Sequence, residues 1–222
     1  MTTAEEYLVP VSPQNAAVLF IDNQTNLMLG TNSIDTTLLL NNTAGLASLA
    51  SIYELPVVLT TTGGGADGPS GALVHPITDT FPNQPIINRL DYLNAMDDPR
   101  FAEAVTKTGR KKVILSGLTT DFCLVYPAAS LIAAGYHVLI AVDASGSWTK
   151  EINDAALQRL IQMGATPTNV QQLAGELQNA SAVDNLDASR EKHPHLFEWF
   201  RRYAPAPALI SMNGSYATST QD

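Results

Sequence analysis

One cysteine, Cys123, ends the stretch Ser116-Gly117-Leu118-Thr119-Thr120-Asp121-Phe122-Cys123, where an apolar strand pattern gives way to small residues and then to a helical pattern. A thiol in the first turn of a helix, just past a strand's carboxyl end, stands where a parallel sheet places a nucleophile. The chain has no second cysteine, so an internal disulfide is impossible. Two more reactive side chains close other strand patterns. Asp22 follows Ala17-Val18-Leu19-Phe20-Ile21, and Arg89 ends Pro85-Ile86-Ile87-Asn88-Arg89. Together these residue types describe a reaction. A carboxylate takes the thiol proton and returns it to a leaving amine. A helix N-terminus and a nearby cation favour the thiolate. The N–H groups of the Leu118-Thr119-Thr120 turn and of Cys123 are placed to hold the oxyanion that forms on a carbonyl.

Each of these residues has a plainer reading. A free cysteine is often a small buried hydrophobe. Asp22 alone reads as a cap or turn residue, and Arg89 alone as an ion-pair partner. Their coincidence at strand ends favours a site, because open parallel sheets bind ligands there. Gln24, Asn88 and Trp148 are weaker candidates for lining its pocket.

The elements that must position these residues alternate along the chain. Strand patterns fall at 17–21, 56–61, 85–89, 112–116, 137–142 and 165–170, and helical spacing at 35–53, 97–108, 121–134 and 150–163. Strands without internal alternation are buried on both faces. Gly109, Gly135 and Gly164 fall where helices should stop. This alternation predicts an α/β fold: a three-layer α/β/α domain on a six-stranded parallel sheet of order 3-2-1-4-5-6. In that order the first and fourth strands are neighbours, and Asp22 meets Cys123. The domain is expected over residues 1–190. Residues 191–222 form an aromatic tail, helical before Ala204-Pro205-Ala206-Pro207, that packs on the domain or on a neighbouring subunit.

Composition narrows the function classes. The formal net charge is −9, which argues against nucleic acid and anionic membranes as partners. No apolar run is long enough to span a bilayer. The acidic start Met1-Thr2-Thr3-Ala4-Glu5-Glu6 is not a secretory signal, and with the single cysteine it suggests a cytoplasmic setting. The glycine run Gly63-Gly64-Gly65 lacks the phosphate-binding fingerprints and reads as a loop at the cleft mouth. His193 and His195, flanking a proline in the tail, read as surface or interface residues.

Val18-Leu19-Phe20-Ile21-Asp22-Asn23-Gln24 resembles the first-strand motif of the isochorismatase-like cysteine hydrolases, a superfamily that includes nicotinamidases, N-carbamoylsarcosine amidase and the isochorismatases. The stretch from Val113 to Leu124 resembles its nucleophile motif, and Val142-Asp143-Ala144-Ser145-Gly146 a later one. The resemblance implies an Asp-Lys-Cys triad, with Asp22 and Cys123 at two of its positions. It also implies a cis peptide at Leu118-Thr119, with the N–H groups of Thr119 and Cys123 forming the oxyanion hole.

The chain departs from that pattern twice. Arg89 stands where the family lysine is expected, as in the branch of YcaC-type hydrolases, which the segments around residues 81–95 and 143–146 also resemble. Arginine keeps the charge but cannot shuttle a proton. The Asp-x-His metal cluster of the nicotinamidases is missing as well. Asp67 has no neighbouring histidine and His75 stands alone, so neither a metal nor another cofactor is expected. The resulting expectation is a cysteine hydrolase of a small amide or related C–N substrate, acting through an acyl-thioenzyme and assembled as a homo-oligomer. Isochorismatase-type hydrolysis of a vinyl ether and a non-hydrolytic redox thiol or binding protein are the alternatives.

Overall fold

The structure is a computed structural model and describes residues 8–204. The uninterrupted apolar runs become strands β1 (Ala16–Ile21), β2 (Val57–Thr61), β3 (Ile86–Asn88), β4 (Lys112–Gly117), β5 (His137–Ala141) and β6 (Thr166–Thr168). All pair in parallel, in one six-stranded sheet of order β3-β2-β1-β4-β5-β6. β1, β2, β4 and β5 are buried along their whole length, as strands covered by helices on both faces must be.

Among the described residues these α-helices follow in chain order: α1 (Thr25–Gly30), α2 (Thr36–Ile52), α3 (His75–Thr80), α4 (Pro99–Lys107), α5 (Val125–Ala133), α6 (Lys150–Gln162), α7 (Val170–Asp184) and α8 (Leu186–Tyr203). Successive β1 residues serve opposite cores. Val18 and Phe20 pack with Leu39 and Leu46 of α2, Leu173 of α7 and Trp199 of α8. Leu19 and Ile21 pack with Phe101 of α4, Leu131 of α5 and Leu160 of α6. The α/β/α layering and the strand order are those expected. Gly109, Gly135 and Gly164 have φ of 67°, 80° and 102°, the left-handed conformation that ends a helix.

Three features differ from the expectation. Helix α7 was not anticipated, although Val170, Leu173, Ala174 and Leu177 recur at helical spacing and face the core. The aromatic tail begins earlier than residue 191. It is one continuous helix, α8, from Leu186, so the boundary at 190/191 cuts through an element. Of the two packing partners left open, α8 takes the domain itself: Trp199 is buried and its Nε1–H donates to the Gly45 carbonyl at 2.8 Å. Residues 205–222, including Pro205 and Pro207, lie outside the described residues.

The third difference lies at the nucleophile. The helix expected over 121–134 begins as a π-helical turn, Thr120–Leu124, and becomes α-helical only at Val125. π-Turns of this kind are frequent at functional sites.

Candidate active site

β1 and β4 are adjacent, and Ile21 is in register with Gly117. The chain leaves the sheet in opposite directions beyond this pair, which opens a crevice at their carboxyl ends. Gly117 is required by that closeness. A Cβ there would lie 2.2 Å from the Ile21 carbonyl oxygen. Asp22, the first residue past β1, turns sharply with φ at 59°, an uncommon left-handed conformation for a non-glycine residue.

Asp22, Arg89 and Cys123 converge here. Asp22 and Arg89 are fully buried, and Cys123 is 7% exposed. The Arg89 guanidinium donates through Nη2 to both Asp22 oxygens, at 2.5 Å each. Its Nε–H donates to Thr60 Oγ1 at 2.9 Å, and its Nη1 to the Tyr92 and Leu93 carbonyls at 2.8 and 3.1 Å. A guanidinium has five N–H groups, and these bonds occupy them all. Of the expectation that Arg89 supports the thiolate or the substrate, only support through its charge fits these bonds, since no N–H is left for a substrate. Its hydrogen bonds hold Asp22, and only its charge reaches the sulfur.

The Cys123 thiol and the Asp22 carboxylate interact closely enough for each to shift the other's protonation. Burial pushes the thiol pKa well up, and the Asp22 charge and hydrogen bond push it further. The Thr119 backbone and the Arg89 charge pull the other way without prevailing. The groups expected to favour the thiolate do not prevail, and the thiol is protonated at rest, because desolvation and a neighbouring anion outweigh the favourable dipoles. Burial also raises the Asp22 pKa, against the lowering effect of Arg89. A carboxylate raised in this way is a stronger base.

The peptide bond Leu118-Thr119 is cis, as the resemblance implied. Of the two N–H groups expected in the oxyanion hole, that of Thr119 is near enough to the sulfur to favour its anion. The Cys123 N–H is already engaged, donating to the Thr119 carbonyl at 2.8 Å within the π-turn.

The weaker candidates separate. Gln24 is buried, and its amide is spent on the loop after β2. Oε1 accepts from Thr62 N at 2.9 Å, while Nε2 donates to the Thr62 and Gly71 carbonyls at 3.2 and 2.5 Å. It ties the loop down and has no donor left for a ligand. Asn88 lies against Gly65, and its buried Oδ1 has no hydrogen-bond partner among the described residues. Trp148 is 38% exposed and covers Gly30, where a Cβ would meet its ring at 2.6 Å. Gly63, Gly64 and Gly65 all have positive φ, which the tight loop entering a 3₁₀ turn at Gly65–Asp67 requires. Asp67, His75 and His195 are exposed, and among the described residues no cluster of His, Cys, Asp and Glu has a metal-holding arrangement.

Thr60 was missed. It is the penultimate residue of β2, and its hydroxyl both accepts from Arg89 and donates to the Ile87 carbonyl at 2.7 Å. Such a hydroxyl beside a strand end was the available signal. Beneath the site, three separate sequence motifs are stitched together. Asn23 Nδ2 donates to Ser116 Oγ at 3.1 Å, Ser116 donates to the Ala144 carbonyl at 2.6 Å, and Thr120 N donates to the Gly146 carbonyl at 2.9 Å.

A doubly covered parallel sheet with a buried carboxylate–guanidinium pair and a thiol at its switch point defines an α/β protein with its reactive groups where such sheets bind ligands. The isochorismatase domain family matches residues 16–172, and the chain belongs to that family of hydrolases. It is 37% identical over 157 residues to the probable hydrolase YcaC of Escherichia coli strain K12, covering 71% of this chain and 74% of that one. The structure of YcaC from Pseudomonas aeruginosa with hexane-2,5-diol and covalent acrylamide superposes with a TM-score of 0.83 at 30% identity, over 98% of this chain and 100% of the other. The YcaC gene product from E. coli, described as an octameric hydrolase of unknown specificity, superposes with a TM-score of 0.82 at 31% identity, over 95% and 97% of the two chains.

Proposed function

We propose that this chain hydrolyses a small amide, or a related C–N carbonyl compound, through an acyl-thioenzyme on Cys123. One observation carries the reading: a buried thiol is coupled electrostatically to a buried carboxylate that Arg89 holds through both its oxygens. The thiol is protonated at rest, so Asp22 takes its proton as the sulfur–carbon bond forms. The carbonyl π electrons move to oxygen, and the Thr119 N–H supports the developing oxyanion. Protonated Asp22 then gives its proton to the departing nitrogen, the C–N bond breaks, and an amine and a thioester remain. Water attacks the thioester, Asp22 receives the water's proton and returns it to sulfur, and a carboxylic acid leaves. The sum is amide plus water giving acid plus amine, and no metal or other cofactor takes part in this scheme.

Arg89 acts through Asp22 and is a positioning residue. Asn88 and Trp148 serve as pocket-lining residues in this reading. Acrylamide, which the P. aeruginosa relative holds covalently, is a small amide with a thiol-reactive alkene, and this supports a reactive thiol in the family. The octameric state of the E. coli relative supports a homo-oligomer here. Among the described residues no helix is long and apolar enough to cross a membrane, and a reducing cytoplasmic setting suits the free thiol.

The test is ammonia release from a panel of small amides, with Cys123→Ala as the control. Turnover should fall by on the order of 10⁴-fold or more in the variant. A substrate still turned over by Cys123→Ala at a comparable rate rules out covalent catalysis.

A further inference from the structure

Charge at the rim of the site discriminates among substrates. In the segments that follow β1 to β5, up to the first turn of the next long helix, the Arg and Lys residues are Arg89, Arg100 and Lys150. Arg89 has every N–H engaged and is buried beside Asp22. Arg100 grips Asp98 through Nε at 3.1 Å and Nη2 at 2.7 Å, and also donates to the Asn88 carbonyl at 2.7 Å. Lys150 is paired with Asp154 at 2.5 Å. The cations on this edge are thus each matched to a carboxylate, and the one beside the thiol has no donor to offer a substrate anion.

The acids nearest the thiol are also occupied. Asp22 is paired with Arg89, and Asp121 accepts from Ser147 Oγ at 2.7 Å. The exposed groups are apolar instead. Leu90, Tyr92, Phe122, Tyr126 and Trp148 are 38–73% exposed, although large apolar side chains favour burial. Phe122 adjoins Cys123, and Tyr126 follows it one helical turn later. Leu90 comes over Gly64, and Tyr92 supplies one of the Arg89 acceptors. Trp148 follows Ser147, which is bound to Asp121.

We infer that the site takes a small uncharged amide with an apolar substituent and rejects carboxylates. A substrate carboxylate would have to shed water at a rim where the cation beside the thiol is spent on Asp22 and the two outer cations already face carboxylates, in the field of an acidic chain. An apolar substituent instead finds aromatic and aliphatic surface to cover. This rests on the amide-hydrolase reading, but its test does not require turnover.

Cys123 is the only cysteine, so intact-mass measurement counts its alkylation without ambiguity. The probes are iodoacetamide, which is neutral, iodoacetate, which is anionic, and (2-bromoethyl)trimethylammonium, which is cationic. Each rate is divided by the rate of the same reagent with 2-mercaptoethanol at the same pH. The neutral reagent should lead the anion by roughly tenfold or more after this correction, a factor that one uncompensated charge interaction supplies. Trp148→Arg should raise the iodoacetate rate selectively. Corrected rates equal for amide and acetate, or highest for the cation, overturn the inference. A thermal-shift comparison of butyramide with butyrate makes the same test on binding alone. Butyramide should raise Tm and butyrate should not, and the reverse order contradicts the proposal. Charge selectivity without turnover of any amide would sink the hydrolase reading and leave this one standing, whereas amide turnover without selectivity would do the opposite.

Discussion

Asp22 and Cys123 compete for one proton, and burial decides the resting state. Desolvation raises both groups, and the Asp22 charge beside the thiol raises the thiol again, so the proton stays on sulfur until the carbonyl carbon arrives. The pH dependence follows from these directions. Asp22 must be ionised to act as base, so the acylation rate rises with pH through an Asp22 midpoint above the usual carboxylate value of about 3.9. It then stays level through about pH 8.5, where an ordinary cysteine ionises. A rate that instead climbs around pH 8.5 would show that a free thiolate carries the reaction. Arg89→Met removes the charge that lowers the Asp22 pKa, so the rising limb shifts to higher pH. The same change strands a buried carboxylate and should cost about 3–5 kcal/mol, read by urea denaturation. An unchanged midpoint in that variant would show that Arg89 does not hold Asp22 in solution. A buried protonated thiol is also a poor target for peroxide, which reacts with exposed thiolates, so the redox-sensor alternative gains no support from this geometry.

At the scale of elements, the site depends on how closely β1 and β4 approach. Gly117→Ala would place a methyl against the Ile21 carbonyl and 2.9 Å from Leu124 Cδ2, in the strand pair that carries Asp22 and leads to Cys123. It should cost about 1–3 kcal/mol or more in stability and reduce turnover further than the remaining folded fraction explains. Wild-type stability and activity in that variant would mean that the strand ends can separate without consequence. The elements were largely legible because their apolar runs are uninterrupted and bounded by Gly109, Gly135 and Gly164. The convergence of Asp22, Arg89 and Cys123 was legible because each ends or follows a strand, and strand order then places them in one crevice. The saturation of Arg89 was not legible, since two of its acceptors are the backbone carbonyls of Tyr92 and Leu93, and carbonyl direction leaves no mark on residue type. Nor was the π-turn, in which the Cys123 N–H goes to Thr119 instead of facing the crevice. A local residue pattern separates a π-turn poorly from the first turn of an α-helix.

At the scale of the molecule, α8 completes the layer that covers β1 and β2 from one side. Its buried Trp199 is fixed to α2 through the Gly45 carbonyl, so the aromatic helix is part of the domain's own core. Large apolar side chains stay exposed elsewhere, among them Leu29 at 74% and Leu40 at 37%, which line one hollow between α1 and α2. Contiguous apolar surface of this kind marks association in chains with a well-formed core. Multi-angle light scattering at working concentration should therefore return a multiple of the chain mass. A monomer at that concentration would contradict the proposed homo-oligomer. The net charge of −9 predicts in turn no retention on heparin or DNA columns.

The most direct measurement is acid quenching of a reaction in progress with a small neutral amide that is turned over, followed by intact-mass and peptide analysis. Cys123 should carry the substrate's acyl group as a thioester, lost on standing in neutral water and never formed in Asp22→Asn. Steady turnover with Cys123 unmodified at every quench time, and with Cys123→Ala equally active, would contradict nucleophilic attack by this sulfur.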